Sequence, residues 1–360
     1  MKTVNNIMPQ ICTIENAEHA YNQAKRIKRM RPEVLRFELN REENLIRAIN
    51  ELRSGDYTPG KYFVFKVWEP KERIIMALPF YDRVVHHMII DKIDYIFEKR
   101  FIKHSYACRR NMGVHMASYQ LARWLYDLEN TQKKKIYALS GDIHHYFQSV
   151  DHSILKQEVR RYISDEHLLM LLDRIIDYNG IWPKGIGIPV GNLTSQVFAN
   201  VYLNVLDQHC KHYYKCKYYM RYMDNFLILH EDASFLRMIK NELPEFLHDR
   251  LNLKLNPKST VVYAKNGIDF VGYRHWKDFT LLRKCAMRRI SDLIKHYKSG
   301  YYSDSDFHKR FVSMIGHAKH ADVCEYIHKV SNMVMDLSDE LGYYNERELL
   351  TNLLNKYYRQ

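Results

Sequence analysis

The segment Tyr222-Met223-Asp224-Asn225 joins two short runs rich in aromatic and β-branched residues within 217–229, which places an acid at the bend of a tight hairpin. A second acid, Asp142, follows Ala138-Leu139-Ser140-Gly141 at the end of a strand predicted over 136–143. Taken singly, each aspartate also reads as an ordinary cap or turn residue. Taken together, acids at two strand ends can converge across a sheet and hold hard divalent ions between them. Mg²⁺ favours one or two carboxylates plus substrate phosphate oxygens, and two such ions stabilise both the attacking and the leaving oxygen of a phosphoryl transfer.

The remaining pattern constrains how those strands are framed. Apolar residues at three- and four-residue spacing predict amphipathic helices over 14–30 and 41–53. The run 62–68, the turn Glu69-Pro70-Lys71-Glu72 and the run 73–77 predict a β-hairpin with a basic tip. Helical spacing returns over 79–101 and 114–128, separated by a polar, basic loop that carries Arg109 and Arg110. Asp151 is a good N-cap for a helix over 152–163, and a Gly/Pro loop at 184–189 precedes a helix over 190–210. A helix over 233–251 and short strands at 258–264 and 269–273 follow, and the rest of the chain, 281–360, is helical and basic. Strands and helices are interleaved without strict βα alternation, so the fold class is α+β with a helical C-terminal lobe.

Composition narrows the partner. Lys and Arg number 55 against 42 Asp and Glu, a net charge of +13, which on a protein with no membrane-length apolar run points first to nucleic acid. The start of the chain lacks a signal peptide's apolar core, so a soluble, cytoplasmic protein is expected. The six cysteines form no C-x-x-C pair, so reduced thiols are expected. His209, Cys210, His212 and Cys216 fall around one helix end rather than on two converging knuckles, which disfavours zinc.

Read in order, the chain resembles a reverse transcriptase over about 71–273. The resemblance is carried by the hairpin at 71–77, the loop at 105–113, Asp142-Ile143-His144-His145-Tyr146-Phe147, and Gly187-Ile188-Pro189-Val190-Gly191-Asn192-Leu193-Thr194-Ser195-Gln196. It continues through Tyr222-Met223-Asp224-Asn225, Leu255-Asn256-Pro257-Lys258 and Phe270-Val271-Gly272-Tyr273. Within the family it is most similar to the enzymes of diversity-generating retroelements. Most relatives have Gln-Gly-x-x-x-Ser-Pro in the fourth element, whereas that group has an aliphatic residue before the glycine and Gln at the end, as at Val190 and Gln196. The stretch Phe311-Val312-Ser313-Met314-Ile315-Gly316-His317-Ala318 also looks like that group's thumb.

The resemblance implies a right-hand polymerase with fingers, an antiparallel palm sheet and a small helical thumb. It divides the chain into N-terminal helices and fingers over 1–135, palm over 136–275 with a finger insertion around 164–190, and thumb over 276–360. Asp142 and Asp224 would be the ligands of two Mg²⁺ ions, with Mn²⁺ as a substitute, the Ile143 carbonyl as a further hard oxygen and Asn225 beside them. Lys71 and Arg73 would fold over the triphosphate, Arg suiting this through its planar fork. Lys258 would donate a proton to pyrophosphate. Phe147 would be the steric gate against a 2′-hydroxyl; Val190, Gly191, Ser195 and Gln196 would line the nucleotide; Arg109 and Arg110 would meet template. Phe270, Val271, Gly272 and Tyr273 would form the primer grip.

Two positions set expectations of their own. Val190 replaces a polar Gln that in typical relatives touches nucleotide and template, and the similar enzymes copy RNA with frequent errors opposite adenine. Asn225 stands where the usual motif has a second acid, which is expected to weaken metal binding. The implied product is adenine-mutagenic cDNA, made from a template RNA with dNTPs and a primer to diversify a target gene, alongside a small basic accessory protein that forms an oligomeric ring. Two other classes fit some of these residues: another bacterial reverse transcriptase of retron, CRISPR-associated or abortive-infection type, and a weakly active or non-catalytic RNA-binding polymerase fold, for which Asn225 is the support.

Overall fold

Nine strands and the helices between them are defined in a computed structural model that describes residues 3–68 and 72–341. The chain divides into two compact units. One comprises residues 1–111, 139–228 and 234–260; the other comprises 112–138, 229–233 and 261–360.

In the first unit the expected helices form, the first ending early at Ile14–Ala24 and the second running one residue further at Arg41–Ser54, and the Ile14–Ala24 helix packs on Phe80–Glu98. Buried Asn16 ties that packing down, its amide donating to the carbonyls of Ile11 and Met88, both at 3.0 Å. Thr13 caps the Ile14–Ala24 helix, its side chain accepting from Asn16 N. β1 (Phe63–Val67) and β2 (Arg73–Ala77) make the predicted antiparallel hairpin, in register from Phe63 opposite Ala77 to Val67 opposite Arg73.

β3 (Tyr137–Asp142), β4 (Tyr218–Tyr222), β5 (Asn225–His230) and β6 (Thr260–Tyr263) form a four-stranded sheet in the order β4-β5-β3-β6. The strands bearing Asp142 and following Asp224 are therefore neighbours. The helix Leu193–Gln208 is buried on nearly every side, as expected of a core helix rather than a surface one. Asp151 caps His152–Arg160 and Asp165 caps Glu166–Asp177; the second of these helices falls in the stretch read from sequence only as a finger insertion. Asp165 also accepts from the main-chain N–H groups of Ile7 and Met8, at 2.6 and 3.0 Å.

In the second unit β7 (Ile268–Phe270), β8 (Tyr273–His275) and β9 (Thr280–Leu282) make a small antiparallel sheet. β9 was not expected from sequence; three residues are too few to show an alternation. The helices Lys284–Lys298 and Asp304–Ala318 pack together. Ile290, Leu293, Ile294 and Tyr297 line one, and Phe307, Phe311, Ile315 and Ala318 line the other, at the three- and four-residue steps of a helix face. Among the described residues no helix is long and apolar enough to cross a membrane.

Each unit also buries a histidine. Burial holds the His86 imidazole down to about 3 from the ordinary 6.5, and holds His275, bonded to Ser118 at 2.8 Å, to about 4. The unfolded chain takes up these protons near pH 6.5 and the folded chain does not, so this stability is complete above pH 6.5 and lost as the pH falls towards the folded values. In that window each histidine removes about 1.4 kcal/mol per pH unit. Denaturant unfolding is expected to give a lower free energy at pH 5.0 than at pH 7.5, with the slope reduced in His275→Gln; equal values at the two pH values would contradict it.

Candidate active site

Main-chain hydrogen bonds bring the two acids together. The N–H of Ile143, next to Asp142, donates to the carbonyl of Asp224 at 3.2 Å. On the other side, residues 254–259 lie along the end of β3. His144 N donates to Lys254 O at 2.9 Å, Asn256 N donates to Asp142 O at 2.8 Å, and Ile143 and Leu255 form an antiparallel bridge. Asp142 is held by side chains as well: Asn256 Nδ2 donates to its Oδ2 at 2.6 Å, and its own N–H donates to Ser259 Oγ at 3.3 Å. Asn256 also accepts from Lys258 N at 3.0 Å through its Oδ1, so this one amide orients both the carboxylate and the turn that carries Lys258. Sequence reasoning quoted Asn256 within a motif and gave it no role; the signal was an Asn before Pro, the signature of a side chain that bonds the main chain two residues on.

Close approach of β3 and β5 explains Gly141. A Cβ there would lie 2.0 Å from Cζ of Phe226, whose ring lies over the glycine. The ring covers the strand one residue before Asp142 and two residues after Asp224.

The electrostatics are those of a buried carboxyl beside a second acid. Burial, and then the Asp142 carboxylate, push the Asp224 carboxyl above its usual range, against the opposing pull of its own main-chain N–H, the Asn225 amide and Arg73. Asn225 Nδ2 donates to Asp224 Oδ1 at 3.2 Å, so this residue supplies a hydrogen where a second acid would add negative charge. Two carboxylates and main-chain carbonyl oxygens are hard ligands, and a divalent cation between them would relieve the repulsion that raises Asp224; the residues fit such an ion.

The nucleotide-side residues are only partly gathered. Arg73, at the start of β2, is exposed and its charge acts on Asp224; Lys71 lies outside the described residues. Phe147, on the short helix Tyr146–Ser149, accepts from Ile188 N at 2.8 Å and so anchors the loop that leads to Val190. Met76 N donates to Val190 O at 3.1 Å, which fastens β2 to that loop. Gly191 has φ +122° and stands where a Cβ would be 3.2 Å from Met76 O. Gln196 is partly exposed, but Ser195 is buried in the first turn of Leu193–Gln208, so its hydroxyl does not line an open surface.

Arg109 is the main departure. It was expected to meet template, yet its side chain is 6% exposed, paired with both oxygens of Glu98 at 2.7–3.0 Å, and donates to the carbonyls of Ile102 and Ser105 at 2.7 Å. Its fork is spent on holding the loop. Arg110, 76% exposed and 3.6 Å from Asp94, is the cation of this pair that faces solvent. The sequence could not separate them, because adjacent arginines in one loop differ only in which way the backbone turns them.

Phe270, Val271, Gly272 and Tyr273 belong to the second unit. Val271 and Gly272 both have positive φ, +43° and +90°, which turns the chain sharply between β7 and β8. The Tyr273 hydroxyl meets His115 Nδ1 at 3.1 Å and His317 Nδ1 at 3.0 Å, and donates to the His317 carbonyl at 2.9 Å. Among the described residues no group of three or more His, Cys, Asp or Glu side chains could hold a metal ion. Of the residues weighed for zinc, Cys210 and Cys216 are buried and His209 stacks on Phe246 at 3.6 Å.

Gly141→Ala is expected to lose about 1–3 kcal/mol of stability, the usual cost of overpacking, together with activity. Phe226→Leu in the same chain should recover part of both, as measured by denaturant unfolding and primer extension. A parental Gly141→Ala protein would show that Phe226 yields freely.

A model of the reverse transcriptase (RNA-dependent DNA polymerase) family matches residues 66–275. Protein YkfC of Escherichia coli strain K12 is 27% identical over 267 residues, which cover 62% of this chain and 69% of that protein. The putative COX1/OXI3 intron 1 protein of Saccharomyces cerevisiae is 28% identical over 138 residues, 37% of this chain but only 16% of that protein. Among solved structures, telomerase from Candida albicans in complex with a telomeric RNA fragment aligns with a TM-score of 0.44 at 12% identity, covering 83% of this chain and 63% of that one. The family match spans both acids and the elements that hold them: this chain belongs to the reverse transcriptases, RNA-directed DNA polymerases.

Proposed function

We propose that this reverse transcriptase makes error-prone, adenine-mutagenic cDNA from a template RNA, in the manner of diversity-generating retroelements. The observation that carries the polymerase centre is the interlocked pair Asp142 and Asp224. The observation that carries the mutagenic reading is Val190, fixed through its carbonyl to β2 at the place where typical relatives have a hydrogen-bonding Gln.

In this reading 1–135 supplies N-terminal helices and fingers, 136–275 the palm and 276–360 the thumb. Asp142, Asp224 and the Ile143 carbonyl would hold two divalent cations, Mg²⁺ with Mn²⁺ as a substitute, which neutralise charge on the attacking and leaving oxygens. Asn256 and Ser259 keep Asp142 aimed. Arg73, with Lys71, binds the triphosphate oxygens through charge-assisted hydrogen bonds. Phe147 excludes a 2′-hydroxyl, Lys258 supplies a proton to the leaving group, and Arg110 binds template phosphate. Phe270, Val271, Gly272 and Tyr273 grip the primer. A basic oligomeric accessory protein is the proposed partner.

A second reading, an intron-type reverse transcriptase with ordinary fidelity, is favoured by the likeness to the COX1/OXI3 intron 1 protein. The error spectrum separates the two.

Template-dependent cDNA is expected from a homopolymer RNA template with primer, dNTPs and Mg²⁺, and Asp142→Ala should reduce it by at least about a hundredfold, the scale on which removal of a charge-stabilising group acts; an active Asp142→Ala protein would remove the acid from the mechanism. On a mixed-sequence template, Val190→Gln should lower misincorporation opposite adenine. An unchanged spectrum in sequenced cDNA would overturn the role of Val190.

A further inference from the structure

The deepest charge in the first unit is Arg221, on β4 one residue before Tyr222. Its side chain and that of Asp207, on the helix Leu193–Gln208, are both 0% exposed. All five guanidinium hydrogens have partners. Nε donates to Asp207 Oδ1 and Nη2 to Asp207 Oδ2, both at 2.7 Å. Nη1 donates to Asn200 Oδ1 at 3.1 Å and to Met223 O at 2.9 Å, and Nη2 donates to Ser105 Oγ at 3.2 Å. The hydroxyl of Tyr219 completes the Asp207 carboxylate at 2.7 Å.

Stability alone does not call for this arrangement, since a buried ion pair can commonly be exchanged for apolar side chains of similar volume without loss. The informative bond is the one to Met223. That carbonyl belongs to the peptide joining Met223 to Asp224, so holding it sets the plane from which the Asp224 side chain departs. Met223 has φ +53°, a conformation that a side chain resists and that persists where the surroundings over-determine it. Arg221 is itself held by its main chain, its N–H donating to His104 O and its carbonyl accepting from Tyr106 N, both at 2.9 Å.

We propose that Arg221, braced by Asp207 on the core helix, is a positioning residue that fixes the Met223–Asp224 peptide and thereby the direction of the Asp224 carboxylate. This deepens the proposed polymerase centre and rests on Asp224 acting there. Arg221 touches neither substrate nor metal; it acts through the turn.

The test must separate aiming from folding. A combined Arg221→Met, Asp207→Leu, Tyr219→Phe variant removes the buried charges together, leaves neither ion without its partner, and loses the hold on the turn together with the bonds to Asn200 Oδ1 and Ser105 Oγ, whose cost the unfolding midpoint reads. Primer extension on poly(rA) with oligo(dT), dTTP and varied Mg²⁺ is then measured beside thermal unfolding. The expected result is a near-parental unfolding midpoint, a KM for dTTP within about twofold, a kcat lower by about tenfold to a hundredfold, the cost of a small misplacement, and a higher half-activating Mg²⁺ concentration. Parental kcat and Mg²⁺ dependence in the folded variant would overturn the proposal.

If the combined variant does not fold, Arg221→Lys serves. It keeps the charge opposite Asp207 but has no planar fork to reach the turn as well. Its kcat per folded molecule should fall while its KM holds, and a parental kcat would overturn the proposal equally. Asp224→Ala is measured in parallel: if it stays active the reading of the centre fails, whereas an inactive Asp224→Ala beside fully active Arg221 variants refutes the positioning role alone.

Discussion

Two carboxylates set side by side repel each other, and the backbone of the first unit holds Asp142 and Asp224 together against that repulsion. Asp142 and Asp224 do not find one another by attraction. They are carried to adjacent positions by the sheet and locked there by the Ile143 N–H on the Asp224 carbonyl, with Asn256 and Ser259 bracing Asp142 from the other side. Burial and the neighbouring Asp142 carboxylate together raise the Asp224 carboxyl, which is the electrostatic cost of this placement.

The same logic accounts for which cations are spent internally. Arg221 and Arg109 converge on one residue: Arg221 reaches Ser105 Oγ and Arg109 reaches the Ser105 carbonyl. Both are buried, both use the planar fork against a carboxylate, and both hold backbone that would otherwise be a loose loop or a strained bend. The count of 55 Lys and Arg therefore overstates the cations available to nucleic acid, while the net charge of +13 is unaffected, because each arginine that serves as an internal brace is cancelled by its carboxylate. Arg73 and Arg110, by contrast, are exposed to solvent, Arg110 while 3.6 Å from Asp94.

Histidine and tyrosine play the corresponding part in the second unit. Tyr273 closes the Phe270-Val271-Gly272-Tyr273 turn with its hydroxyl between His115 and His317, and the His115 ring stacks on His320 at 3.6 Å. Burial and the neighbouring charges lower all three imidazoles, which favours neutral rings that can pack against one another.

Much of this was legible in the sequence. Local physics decided the hairpin at Phe63–Val67 and Arg73–Ala77, the cap at Asp151, the helical character of the stretch that holds Lys284–Lys298 and Asp304–Ala318, and the acid at the 222–225 bend, because periodicity and turn chemistry act over a few residues. The ordered motifs extended that reading to a family. What sequence could not decide was direction and pairing at long range: that Arg109 turns inward while Arg110 stays out, that Ser195 is buried, that Asn256 grips Asp142, and that Arg221 spans from Asp207 to the Met223 carbonyl. Each depends on which side chain the folded backbone sets opposite it, a property of three-dimensional packing that the residue type alone does not carry.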